Sequence, residues 1–156
     1  MRRIYFTYII LVHISIATSQ RVVGYYPQWV QGSFTPDKID YTVITHVMHS
    51  FAWPDEEGNI LHYDNMLSQS VTNTVHDNGA KILLCLGGWG QSWGFSASMS
   101  TPELREIFID NIISICETYN YDGVDIDWEQ PANSTEKNNL TTFIAELRQA
   151  FDDLYP

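Results

Sequence analysis

Four stretches of the chain are nearly continuous in apolar residues: "RVVGYY" (21–26), "YTVITHVMHSFAW" (41–53), "AKILLCLGG" (80–88) and "YDGVDIDWE" (121–129). Their length and their β-branched and aromatic content predict strands. Continuous runs without polar alternation are expected of parallel strands covered on both faces. The segments between them change period. Residues 65–78 predict a helix closed at Asn78-Gly79. Residues 102–119 predict a second, capped by Thr101 with Pro102 in its first turn and Glu103 and Glu106 near the positive end of the dipole. Its apolar stripe is Leu104, Phe108, Ile112, Ile115, Cys116 and Tyr119. Residues 136–154 repeat the pattern through Leu140, Phe143, Ile144, Leu147, Phe151 and Leu154.

The order is strand then helix, four times over, which implies an α/β fold with a parallel sheet, doubly wound or closed into a barrel. One turn signal, "DEEGNI" (55–60), predicts a small excursion after the second strand. No internal repeat or low-complexity linker interrupts this order.

The first 19 residues do not fit it. Arg2 and Arg3 precede an apolar run from Ile4 to Ala17, and Ala17 and Ser19 suit cleavage before Gln20. The run is short for a membrane span, which needs about 20 residues, and Thr7, His13 and Ser15 break it. The expectation is a signal peptide over 1–19 and a secreted, extracellular domain over 20–156. Without the leader six bases face 19 acids, a net charge near −13. That excludes nucleic acid and anionic membrane as natural partners and suits a neutral substrate. Cys85 and Cys116 are expected as two buried thiols, one ending a strand and one on a helix face. Asn133 and Asn139 are formal glycosylation acceptors.

The last strand carries the candidate chemistry. Side chains alternate along a strand, so Asp125, Asp127 and Glu129 share one face while Val124, Ile126 and Trp128 take the other. Neighbours in that row are ~7 Å apart. Two full charges there repel by roughly 2.4 kcal/mol at an effective dielectric of 20, worth almost two pKa units. At least one of the three is therefore expected to keep its proton near neutral pH. A protonated carboxyl is what sugar-bond cleavage asks of its general acid. Glu129, nearest the strand's C-terminal end, is the candidate acid; Asp127 and Asp125 stand behind it. Asp122 is out of phase and is expected to stabilise the strand's entry beside Gly123. A hard cation would also use clustered acids, but it needs a turn where the interleaved Val, Ile and Trp favour a strand, so no metal or other cofactor is expected.

At this point the residues resemble a known family. "DGVDIDWE" (122–129) is similar to the signature of family 18 glycoside hydrolases, the chitinases and their relatives, and "KILLCLGGW" (81–89) to that family's third-strand motif. "VVGYYPQW" and "ITHVMHSFA" resemble its first two strands, in the right order. The resemblance implies a (β/α)8 TIM barrel, of which this chain supplies roughly the first four βα units. It also implies retaining hydrolysis of chitin, β-1,4-linked N-acetylglucosamine, without a cofactor. Glu129 then takes the proton-donor position, Asp127 holds the substrate's N-acetyl group, and Asp125 exchanges a proton with Asp127, helped by Tyr25. The N-acetyl carbonyl oxygen itself attacks the anomeric carbon, so no carboxylate nucleophile is needed. Trp29 and Trp89 match sugar-stacking positions and Phe51 a barrel-lining aromatic; Gly88 and Trp128 complete the candidate substrate contacts.

Three features depart from the family pattern. Cys85 stands where the family usually has Ser, a better hydrogen-bond donor to Asp125. Gln130 replaces a frequent aromatic. A full barrel takes about 250 residues, against 137 after the leader. The expectation is a fragment of a longer protein. A short product that self-associates through open strand edges, and a chitin-binding lectin or inactive half-barrel, are the alternatives.

Overall fold

The computed structural model describes residues 20–154. Strands β1 (Val23–Pro27), β2 (His46–Pro54), β4 (Lys81–Gly87) and β5 (Val124–Asp127) form a parallel sheet in the order β1-β2-β4-β5. The short β3 (Ile60–His62) runs back antiparallel along the end of β2. Its turn forms where the sequence signals it, because the Asp55 carboxylate accepts the N–H groups of Glu57 and Asn59. Helices α1 (Gln69–Asp77), α2 (Phe95–Ser98), α3 (Pro102–Tyr119) and α4 (Ser134–Leu154) complete the fold.

The first crossover differs from the expected strand–helix alternation. No α-helix joins β1 to β2; two 3-10 turns, Gln28–Val30 and Pro36–Lys38, do so instead. Gly32 and Pro36 interrupt this segment, and it lacks a 3.6-residue apolar stripe to bury. The second strand also starts later than its composition suggests. Asp40 accepts the Thr42 N–H, and the Asp40 carbonyl accepts those of Val43 and Ile44, so 41–44 turn rather than extend.

One face of the sheet carries the core. Tyr26, Val47, Ala52, Ile82, Leu84 and Leu86 are buried beneath Val75, Phe95, Phe108, Ile112 and Phe143 from the helices. Phe108 and Phe143 stack at 4.9 Å and join α3 to α4. Helix α3 begins as its sequence predicts, with Thr101 Oγ1 accepting the Leu104 N–H, and ends on Asn120 in the left-handed region. Arg105 breaks the apolar pattern: it is 8% exposed, and its guanidinium reaches Glu146 at 2.7 and 3.1 Å and the Met99 carbonyl at 3.2 Å. A buried cation needs this full set of partners.

The other face and both sheet edges are less covered. Val23 and Tyr25 are half-exposed on β1. Ile144 and Leu154, expected on the apolar face of α4, are 43% and 42% exposed. A groove of about 660 Å³ follows the free side of β5, lined by Gly123, Val124, Ile126, Ile144, Leu147 and Phe151. Strands β1 and β5 each have one partner among the described residues, so both edges are open.

Candidate active site

The C-terminal ends of the parallel strands meet at one rim, and the strongest candidate chemistry collects there. Strand β5 ends at Asp127, two residues short of Glu129. The alternation still holds at the points that matter. Trp128 turns to the helix side, stacking on Phe95 at 5.5 Å, and Glu129 lines a cleft of about 530 Å³ with Gln28, Trp29, Phe51, Tyr63, Trp89 and Gln91.

Below the cleft the carboxylates are graded by their surroundings. Asp125 Oδ2 accepts the Tyr25 hydroxyl at 3.1 Å and the Cys85 thiol at 3.2 Å. The thiol thus occupies the donor position in spite of its weakness as a donor. Burial, and then the hydrogen bond to Asp125, push the Cys85 thiol well up, so it stays protonated. The Tyr25 phenol is raised by desolvation and by the Asp125 charge, and it too keeps its proton. Asp127 sits between two acids. Desolvation first, then the charges of Glu129 and Asp125, raise its carboxyl above the usual range, as the crowding of like charges requires.

Backbone geometry fixes the row. Gly88 donates to the Asp127 carbonyl at 2.8 Å. Gly87, at φ +111°, lies so close to the same carbonyl that a Cβ would sit 2.2 Å from its oxygen. No side chain fits there. Beyond the strand, the Glu129 N–H donates to Ser92 Oγ at 3.0 Å, and Ser92 Oγ donates to the Gly88 carbonyl at 3.2 Å. Ser92 is a positioning residue that the sequence reading missed, as it missed Tyr63, Gln28 and Gln91. Only the turn signal at 55–60 pointed toward Tyr63, which the β3 excursion carries to the rim.

Of the predicted contacts, Trp29 and Trp89 are 66% and 91% exposed. Phe51, on β2, is stacked on Trp29 at 6.0 Å and lies 6.3 Å from Tyr25. Two expectations need correction. Trp128 is not in the cleft, because alternation sends it to Phe95. Gly88 is buried beneath Phe51, where an added Cβ would sit 2.9 Å from the ring, so it shapes the rim instead of lining it. Asp122 lies at the opposite end of β5, as expected. It accepts Lys81 Nζ at 2.6 Å, His76 Nε2 at 2.8 Å and the Ile82 N–H at 2.8 Å. Burial would raise its carboxyl, but these three partners together hold it below its ordinary range. Cys85 and Cys116 are both buried free thiols.

Residues 21–155 match the sequence model of the family described as "Glycosyl hydrolases family 18". The chain belongs to this family. Its sheet is four parallel strands of the family's (β/α)8 barrel. It is 30% identical over 165 residues to "Probable chitinase 10" of Drosophila melanogaster, covering 87% of this chain and 7% of that one. The Ostrinia furnacalis Group IV chitinase, solved in complex with allosamidin, superposes with a TM-score of 0.79 at 30% identity, over 86% of this chain and 41% of that one. A family 18 chitinase from Cycas revoluta, solved as a double mutant in complex with (GlcNAc)4, gives 0.74 at 26% identity, over 84% and 40%. The chain thus spans about two-fifths of the length of these solved relatives.

Proposed function

We propose that the protein is a secreted glycosidase that cleaves chitin with retention, Glu129 donating the proton. The observation that carries this reading is the placement of Glu129 at the rim of an aromatic cleft, its backbone tied to Ser92 and Asp127 and Asp125 behind it. The bare faces of Trp29 and Trp89 suit the apolar faces of sugar rings. Glu129 protonates the glycosidic oxygen as the bond to the anomeric carbon breaks. The N-acetyl carbonyl oxygen of the same sugar closes on that carbon, and Asp127 holds the acetamido N–H. Asp127 is suited to this by its place in the row between Glu129 and Asp125, while Tyr25 and Cys85 steady the Asp125 carboxylate. Water then opens the intermediate, with Glu129 as base.

Family membership and chitinase relatives that bind allosamidin or (GlcNAc)4 support the substrate class. Secretion rests on the sequence of residues 1–19, which lie outside the described residues. No helix among the described residues is long and apolar enough to cross a membrane. The test is release of new reducing ends from chitotetraose. Glu129→Gln should abolish it with the far-ultraviolet circular dichroism unchanged, and equal activity in the variant would refute the assignment. The exposed rings of Trp29 and Trp89 also suit a second reading, a chitin-binding protein that does not cleave. Retention on chitin beads with no sugar released by the wild type would select it.

A further inference from the structure

Two polar groups in the cleft lie outside the carboxylate row and have unused hydrogen-bonding capacity. Tyr63 follows β3 and is 51% exposed, yet it is firmly held. Its ring packs on Trp53 at 5.1 Å, and its carbonyl accepts the N–H of Met66, which is fully buried. The next residue is tied across the cleft, since Gln28 Nε2 donates to the Asp64 carbonyl at 3.1 Å. Gln91 Nε2 donates to the Tyr63 hydroxyl oxygen at 3.0 Å. That bond fixes the hydroxyl as an acceptor, and its own proton has no acceptor among the described residues. The Gln91 carbonyl oxygen likewise receives no donor among them. A fixed donor and a fixed acceptor therefore stand side by side on the wall of a sugar-sized cleft.

This pair complements an acetamido group, whose carbonyl accepts and whose N–H donates. We infer that Tyr63 and Gln91 form a specificity element that reads the N-acetyl group of a sugar away from the bond being cut. The inference rests on the chitin reading above and extends it to a second acetamido contact. A preorganised pair loses little entropy on binding. A site built to bond a polar substituent also discriminates against a ligand that lacks it, because its own groups are then left unpaired.

The test is titration of the purified protein with chitotetraose and with cellotetraose, which has hydroxyls in place of acetamido groups, followed by tryptophan fluorescence. Tyr63→Phe keeps the ring on Trp53 and removes only the hydroxyl. It should weaken chitotetraose binding roughly three- to tenfold, the effect of one neutral hydrogen bond, and leave cellotetraose unchanged. Gln91→Leu should weaken chitotetraose selectively as well. Unchanged chitotetraose affinity in both variants, or equal loss for both sugars, overturns the inference while chitin binding stands. A wild type that binds neither sugar overturns the chitin reading and the inference with it.

Discussion

His49 ties the stability of the fold to pH. It lies on β2 opposite Tyr26 of β1, is 0% exposed, and has the rings of Tyr26 and Tyr121 each 5.9 Å away. Both ring nitrogens are engaged. Nδ1 lies 2.7 Å from the Tyr121 hydroxyl and Nε2 lies 2.6 Å from the Gln31 amide nitrogen. An amide N–H facing Nε2 makes that nitrogen the acceptor and Nδ1–H the donor, which is the neutral tautomer. Burial lowers the His49 pKa from 6.5 to about 4. The unfolded chain takes up the proton first, so His49 favours the folded state above pH 6.5, and this is lost as pH falls toward 4. At 1.36 kcal/mol per pKa unit the loss is about 1 kcal/mol by pH 5.5 and about 3 kcal/mol by pH 4. Urea unfolding of the wild type and His49→Gln at pH 7, 5.5 and 4 isolates this from the carboxylates, which titrate in both proteins. The wild type should lose about 3 kcal/mol more than the variant between pH 7 and 4. Parallel curves would show that burial does not keep the His49 imidazole neutral in the fold.

Three other outcomes follow from packing and charge. Asp122→Ala removes the partner of Lys81, His76 and the Ile82 N–H; it should cost about 2–3 kcal/mol at pH 7 in chemical denaturation. Because the Asp122 pKa is lowered, wild type and variant should converge as acid protonates the wild-type carboxyl. Gly87→Ala puts a methyl group 2.2 Å from the Asp127 oxygen at a positive φ; a loss above about 3 kcal/mol, or no soluble protein, is expected from thermal melts. Expressed as these 156 residues alone, the chain should associate in a concentration-dependent way in analytical ultracentrifugation, through the edges of β1 and β5 and the exposed Ile144. Ile144→Glu should reduce that association without changing the circular dichroism.

Much of the fold was legible because its causes are local. The Thr101-Pro102 start of α3 and its Phe108–Ile112–Cys116 stripe needed only capping and periodicity, and they appear where those rules put them. The Asp55 turn needed only a carboxylate near free amides. The missing helix after β1 was a failure of extrapolation, since regular alternation was extended across a segment whose Gly32 and Pro36 oppose it. Arg105 was illegible for another reason: its partner Glu146 lies 41 residues away on α4, and neither helix alone gives a reason to bury a cation.

The site divides in the same way. Strand alternation by itself set Asp125, Asp127 and Glu129 on one side and Val124 and Ile126 on the other, and it implied that the row could not stay fully charged. It even placed Trp128 on the helix face, against its assignment as a sugar contact. What alternation cannot specify is which distant groups meet the row. Ser92 beneath Glu129, Cys85 and Tyr25 on Asp125, and Tyr63 with Gln91 across the cleft come from four separate segments, and chain closure through the parallel sheet brings them to one rim. Sequence determined the order of charges because that order is covalent. Only the tertiary structure decided their partners, because hydrogen bonds and pKa values depend on distances that the chain acquires when it folds.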